Sequence, residues 1–137
     1  MSRLDVRVAH VRPVDAAGLA SDALQVTARN LENRAMKLTG CAVVLPLGLR
    51  VHFDPPQLAY PFELETGAQC SDRIDCRALA KLARKAGCQG RIELDAMFLE
   101  AGGFDESGAP LLPSTLRSAP GVEHRSGPFA FDLERWA

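Results

Sequence analysis

LQVTARNLENRAMKLTG, residues 24–40, decides the fold class. Leu24, Val26 and Ala28 alternate with Gln25, Thr27 and Arg29, the period of two that a strand with one buried and one wet face must show. Asn30-Leu31-Glu32-Asn33 breaks the alternation with two residues that adopt turn conformations at low cost. Met36 and Leu38 then resume it against Lys37 and Thr39. Gly40 leads into the continuous apolar run Cys41-Ala42-Val43-Val44-Leu45, so a bulge at Gly40 is expected to switch the inward face.

The same period recurs on both sides of this stretch. Leu4, Val6 and Val8 alternate with Asp5 and Arg7. Beyond the Pro46-Leu47-Gly48 turn, Leu49, Val51 and Phe53 alternate with Arg50 and His52 until Asp54-Pro55-Pro56 ends the strand. Phe62 and Leu64 alternate with Glu63 and Glu65, and Thr66-Gly67 turns the chain into a weaker strand over Ala68 to Arg73. Ile92, Leu94, Ala96 and Phe98 form a further strand, and Phe129, Phe131 and Leu133 the last. Trp136, three residues beyond Leu133, is expected to close the core.

Between Ile74 and Gly87 the period changes to that of a helix. Leu79, Leu82, Ala83 and Ala86 share one face; Arg77, Lys81, Arg84 and Lys85 share the other. Asp75 is the expected N-cap, with Ile74 and Leu79 as a hydrophobic staple, and Gly87 the left-handed residue that ends the helix. Ala101 to Gly127 is rich in Gly, Pro and Ser, has no period, and exceeds the usual hairpin length, so it reads as one long loop.

The 137 residues, 47% of them hydrophobic, suit a single domain spanning 1–137 with a sizeable core. Sixteen Lys and Arg against seventeen Asp and Glu give a net charge of -1, which removes the general electrostatic case for a nucleic-acid or anionic-membrane binder. No stretch approaches the roughly 18 apolar residues of a membrane span, and the start MSRLDVRVAHVRP has no apolar leader. A cytoplasmic protein is expected, with Cys41, Cys70, Cys76 and Cys88 as free thiols. Cys76 and Cys88 lie about 18 Å apart along an ideal helix, too far for a disulfide.

Seven or eight short antiparallel strands with regular turns predict an all-β, Greek-key β-sandwich, with one short helix, about 75–87, in the crossover before the penultimate strand. A small barrel is the alternative. The succession LDVRV, LQVTARNLENRAMKLTG, PFELETG, the helix pattern from Asp75 through Arg77, Leu79, Leu82 and Arg84 to Gly87 and Gly90, RIELDAMF and SGPFAFDL resembles bacterial immunoglobulin-like or fibronectin-III-like β-sandwich domains of uncharacterised function. The resemblance implies a fold and no reaction, because such sandwiches host many functions. The antibody-type marks are missing: no cysteine lies on the second strand or on Arg91 to Leu99, and no tryptophan on the third.

Residues that could carry chemistry are scattered. His10, His52 and His124 and the four cysteines lack metal-ligand spacing, so no metal and no cofactor are expected. Ser107, Ser114, Ser118 and His124 share the long loop with Asp105 and Glu106, but a catalytic set needs a rigid scaffold, and the segment reads as polar loop. Cys76, in the first helical turn beside Arg73 and Arg77, is the candidate reactive thiol, because both surroundings favour a thiolate.

The expected function is therefore a non-enzymatic binding or scaffolding module. Its candidate contact residues are Phe104, Leu111, Leu112 and Leu116, apolar positions in the long loop, and Arg77, Lys81, Arg84 and Lys85 on the helix, with an edge strand as another route to a protein partner or a homodimer. Glu93, Asp95, Glu100, Asp105 and Glu106 raise the prospect of self-association with the basic helix. The competing readings are a small-ligand-binding protein or enzyme with a pocket between the sheets, and a nucleic-acid accessory protein using the basic helix face.

Overall fold

The alternating segments pair into two antiparallel sheets, because each has one apolar face that only a second sheet can cover. The structure, a computed structural model, describes residues 4–53, 56–101 and 122–136. In chain order the elements are β1 (Leu4–Val11), β2 (Ala23–Asn30), β3 (Met36–Val44), β4 (Arg50–His52), β5 (Phe62–Leu64), β6 (Gln69–Asp75), α1 (Cys76–Lys85), β7 (Arg91–Glu100), β8 (Val122–Arg125) and β9 (Phe129–Asp132). A 3-10 turn over Leu133–Trp136 follows. One sheet has the order β1-β2-β6; the other has the order β4-β3-β7-β8, with β5 also beside β3 and β9 also beside β7. The inward residues of both sheets, among them Leu4, Val26, Leu38, Leu64, Leu94 and Phe98, form one core cluster.

The bulge at Gly40 is present: Leu38 pairs with Glu100 while Gly40 pairs with Leu99, so the register shifts between them. Met36 and Leu38 point into the core before it, and Cys41, Val43 and Leu45 after it. The switched face leaves Ala42 and Val44 on the outside of the sheet, where they are buried with Met97 in a second, small cluster. Arg50 of β4 reaches across β3 and β7 to Glu123 of β8. Glu123 continues to Arg125 at 3.1 Å, and Arg125 to Asp95 at 3.5 Å. This charged chain runs from β4 to β8 and back to β7 on the sheet that carries the cluster.

Strand register also fixes which connections share an end. Leu4 lies opposite Asn30, and the Asn30 side chain donates to the carbonyls of Arg34 and Leu64, both at 2.9 Å. The β2–β3 turn, the β5–β6 turn and the Glu100 end of β7 therefore cluster at one pole. At the other, Ala23 pairs with Asp75, where α1 begins, and Val44 pairs with Arg50 across the turn at residues 46–48. The β1–β2 connection, α1 and the 46–48 turn belong to this second, α1 pole.

Several expectations need correction. The interval 101–127 is not one loop, because Val122–Arg125 forms β8 against β7. Leu82 and Ala86 do not belong to the buried helix face, which comprises Cys76, Leu79, Ala80 and Ala83. Leu49 is half exposed and precedes β4. Asp75 occupies the N-cap position with extended backbone but makes no side-chain capping bond. The C-terminal end of the helix follows the sequence: Gly87 has φ +94°, its N–H donates to Arg84 O at 2.9 Å, and Cys88 N–H donates to Ala83 O at 3.0 Å.

Candidate functional site at the α1 pole

The β1–β2 connection folds back on itself before it meets α1. Asp15 Oδ1 accepts from the N–H groups of Ala17 and Leu19, each at 2.9 Å, and Val14 forms a bridge with Ala20. Because the Asp15 oxygen satisfies the turn from within, Val14 and Leu19 are left pointing to solvent, 64% and 68% exposed. Leu82, one turn beyond Ala78 on α1, is also exposed. Between these two elements runs an open cleft of about 510 Å³ with Val14, Ile74, Ala78 and Leu82 as apolar lining. His52, Arg73, Asp15 and Asp75 supply its polar rim, and Arg73 Nη2 is 3.3 Å from Gln57 Oε1.

The turn at residues 46–48, at the same end of the sandwich, is also apolar. Leu47 is fully exposed and held at φ +69°, a left-handed backbone that costs a branched side chain on the order of 1–2 kcal/mol. Of the seven large apolar side chains exposed among the described residues, Val14, Leu19, Leu47, Leu49 and Leu82 all lie at the α1 pole; Leu31 and Val122 lie at the other.

The basic helix face is present as expected, and its four cations differ in role. Arg84 Nη2 donates to Leu133 O at 2.9 Å and so fastens the closing 3-10 turn. Arg84 and Lys85 also fall in the last turn, where they complement the helix dipole. Arg77, Lys81 and Lys85 are exposed and make no ion pair among the described residues. Lys85 follows Ala78 and Leu82 on the stripe that borders the cleft, with Lys81 beside it.

On the other side of the helix start, a second cleft of about 200 Å³ is lined by His10, Cys76, Arg91 and Trp136. His10 Nε2 lies 2.8 Å from Asp22 Oδ1, and its ring meets Trp136 edge-on at 5.5 Å. Trp136 stacks near Phe131, and Arg135 covers its ring at 5.0 Å. The tryptophan thus packs at the end of the core, carried there by the 3-10 turn over Leu133–Trp136 and not by the period-two phase of the strand. Cys76 is fully buried. Burial, with the negative charge of Asp22 and Asp75, pushes its thiol up to about 12 against the smaller opposing effect of Arg135. That is opposite to the direction expected from the helix start and its arginines, because desolvation of the thiolate outweighs them.

Two buried polar centres escaped the sequence reading. Asp72, fully buried on β6, accepts from Gln57 N–H at 2.7 Å, Arg73 N–H at 2.9 Å and the Tyr60 hydroxyl at 2.6 Å. It latches the segment before β5 across the sandwich. Burial first, and then the bond to Asp72, raises the Tyr60 phenol well above its ordinary range. Burial likewise pushes up the Cys41 thiol, and takes Cys70 to about 11.

At the opposite pole, Glu100 accepts from His124 Nε2–H at 3.0 Å and pairs with Arg34 Nη2 at 3.1 Å. His124, followed by Arg34, holds the Glu100 carboxyl below its usual range although burial opposes them. His124 is thus a core side chain of β8, while Ser107, Ser114, Ser118, Asp105 and Glu106 lie outside the described residues. Phe104, Leu111, Leu112 and Leu116 lie outside them too. Among the described residues no group of three or more His, Cys, Asp or Glu could hold a metal ion, and no helix is long and apolar enough to cross a membrane.

No family model and no curated protein matches the chain. Among solved structures it is similar to Northeast Structural Genomics Consortium target SoR45, with 9% identity and a TM-score of 0.43 over 95% of this chain and 84% of that one.

Proposed function

We propose that this chain is a non-enzymatic, immunoglobulin-like binding or scaffolding module that meets a protein partner through its α1 pole. The exposed apolar side chains at this pole carry the reading: Val14 and Leu82 line the open cleft, and Leu19, Leu47 and Leu49 lie at the same end of the sandwich. Large exposed apolar patches mark interaction sites, because leaving them wet forfeits burial energy. The immunoglobulin-like assignment is supported by strand order, with β1-β2-β6 facing β4-β3-β7-β8 and a helix in the crossover from β6 to β7. The non-enzymatic reading is supported by the structural use of the histidine–carboxylate pairs. His124 and Glu100 are committed to the core with Arg34, and His10 with Asp22 sits under Trp136. Four free cysteines accord with a cytoplasmic setting. The edge strand β1, eight residues long and paired among the described residues with β2 alone, is the second route to a partner or a homodimer.

The test is paired affinity capture from a native extract with the wild-type chain and the double variant Val14→Asp/Leu82→Asp. At least one protein retained by the wild type and lost from the variant is the expected result. Identical retention by both chains would remove the α1 pole from the account.

A further inference from the structure

The chemistry of the α1 pole also specifies a kind of partner, an inference that rests on the binding-module reading above. The cleft has Ile74, Ala78, Leu82 and Val14 as apolar lining and opens to solvent. One bank is α1, whose ten residues include no acid and carry Arg77, Lys81 and Lys85 without ion pairs among the described residues. Arg73 adds a fourth cation at the cleft itself. Against these four cations stand two carboxylates at the cleft, Asp15 and Asp75. The balance of free charge along the helix bank is positive.

The β7–β8 face of a second copy is a poor source of the complementary charge, because its acids are used internally: Asp95 by Arg125, Ser126 and Gly127, Glu123 by Arg50 and Arg125, and Glu100 within the core. A heterologous segment supplies both the anchor and the charge in one stretch of chain. We propose that the cleft between α1 and the β1–β2 connection docks an acidic peptide segment of another protein, with its apolar side chains seated on Ala78, Leu82 and Val14 and its carboxylates facing Lys81 and Lys85. Burial supplies affinity, while the lysines set orientation and discriminate against basic segments.

The immobilised full chain is panned with a phage-displayed random dodecapeptide library. Recovered peptides are synthesised, and their affinities are measured by fluorescence anisotropy at about 50 and about 200 mM salt. The comparison chains are Leu82→Asp and Lys81→Glu/Lys85→Glu, both checked for native melting. Expected are acidic peptides with apolar anchors, weakened by salt, and weakened about tenfold by either variant. Recovery of basic or uncharged peptides, or of acidic ones that neither variant affects, overturns the partner assignment while leaving a binding module standing. No enrichment over bare support overturns both.

Discussion

Tyr60→Phe isolates the latch that holds the segment before β5 across the sandwich. The phenol oxygen is 2.6 Å from Asp72 Oδ2, and the other carboxylate oxygen already serves Gln57 N–H and Arg73 N–H. Asp72 is fully buried, so Oδ2 has no water to replace the lost donor. Hydrogen bonds to charged groups contribute about 1.5–3 kcal/mol, and an orphaned buried acceptor bears its full desolvation cost. The variant is expected to lose about 2 kcal/mol, which lowers the Tm of a chain this size by roughly 6–8 °C. Urea melts followed by circular dichroism, with Asp72→Asn and the double variant completing a cycle, separate this coupling from general damage. A Tyr60→Phe loss under about 0.5 kcal/mol, or additivity with Asp72→Asn, would refute the latch. Tyr60 is the only tyrosine in the chain, so alkaline titration monitored by tyrosinate absorbance provides an independent check. Its raised phenol predicts no ionisation until the protein unfolds. Stability should decline above the ordinary tyrosine pKa of about 10, where the unfolded chain releases a proton that the native one keeps.

Two further outcomes follow from the buried groups. Glu100→Ala leaves Arg34 and His124 without their common acceptor and is expected to cost about 3 kcal/mol in urea melts. In the wild type, the depressed Glu100 pKa stabilises the fold above the ordinary glutamate range and loses that contribution as pH falls below it, so the pH slope of stability in acid should shrink in the variant. A variant with an unchanged acid slope would contradict this. Under native conditions a thiol reagent should modify the partly exposed Cys88 first, with Cys41, Cys70 and the fully buried Cys76 following only on unfolding. Labelling of Cys76 at the rate of Cys88 would restore the reactive-thiol expectation.

Where one face of a strand is apolar and the other polar, as in β1, β2, β6 and β7, the sequence announced the element. The glycine switch in β3 was legible for the same reason. β8 was hidden because its one buried side chain is polar: His124 is buried and satisfied by Glu100, while Val122, two residues earlier on the same face, is exposed. A sequence pattern cannot show that a histidine will find a buried carboxylate 24 residues earlier. The same holds for Asp72 and Tyr60, partners in a strand and a preceding irregular segment. On α1 the periodicity placed Leu82 inward, but the helix docks through Cys76, Leu79, Ala80 and Ala83 and leaves Leu82 at the cleft. The basic face was readable from spacing. The apolar floor beside it was not, because it joins α1 to Val14, a residue from a connection more than sixty positions away.

The most direct measurement on the α1 pole is amide hydrogen exchange of the full chain with and without a saturating selected acidic peptide. The account predicts added protection across the β1–β2 connection and α1, with the Glu100 end of the sandwich unchanged. Protection confined to the Glu100 end or to β1, with α1 and residues 12–22 unaffected, would contradict it.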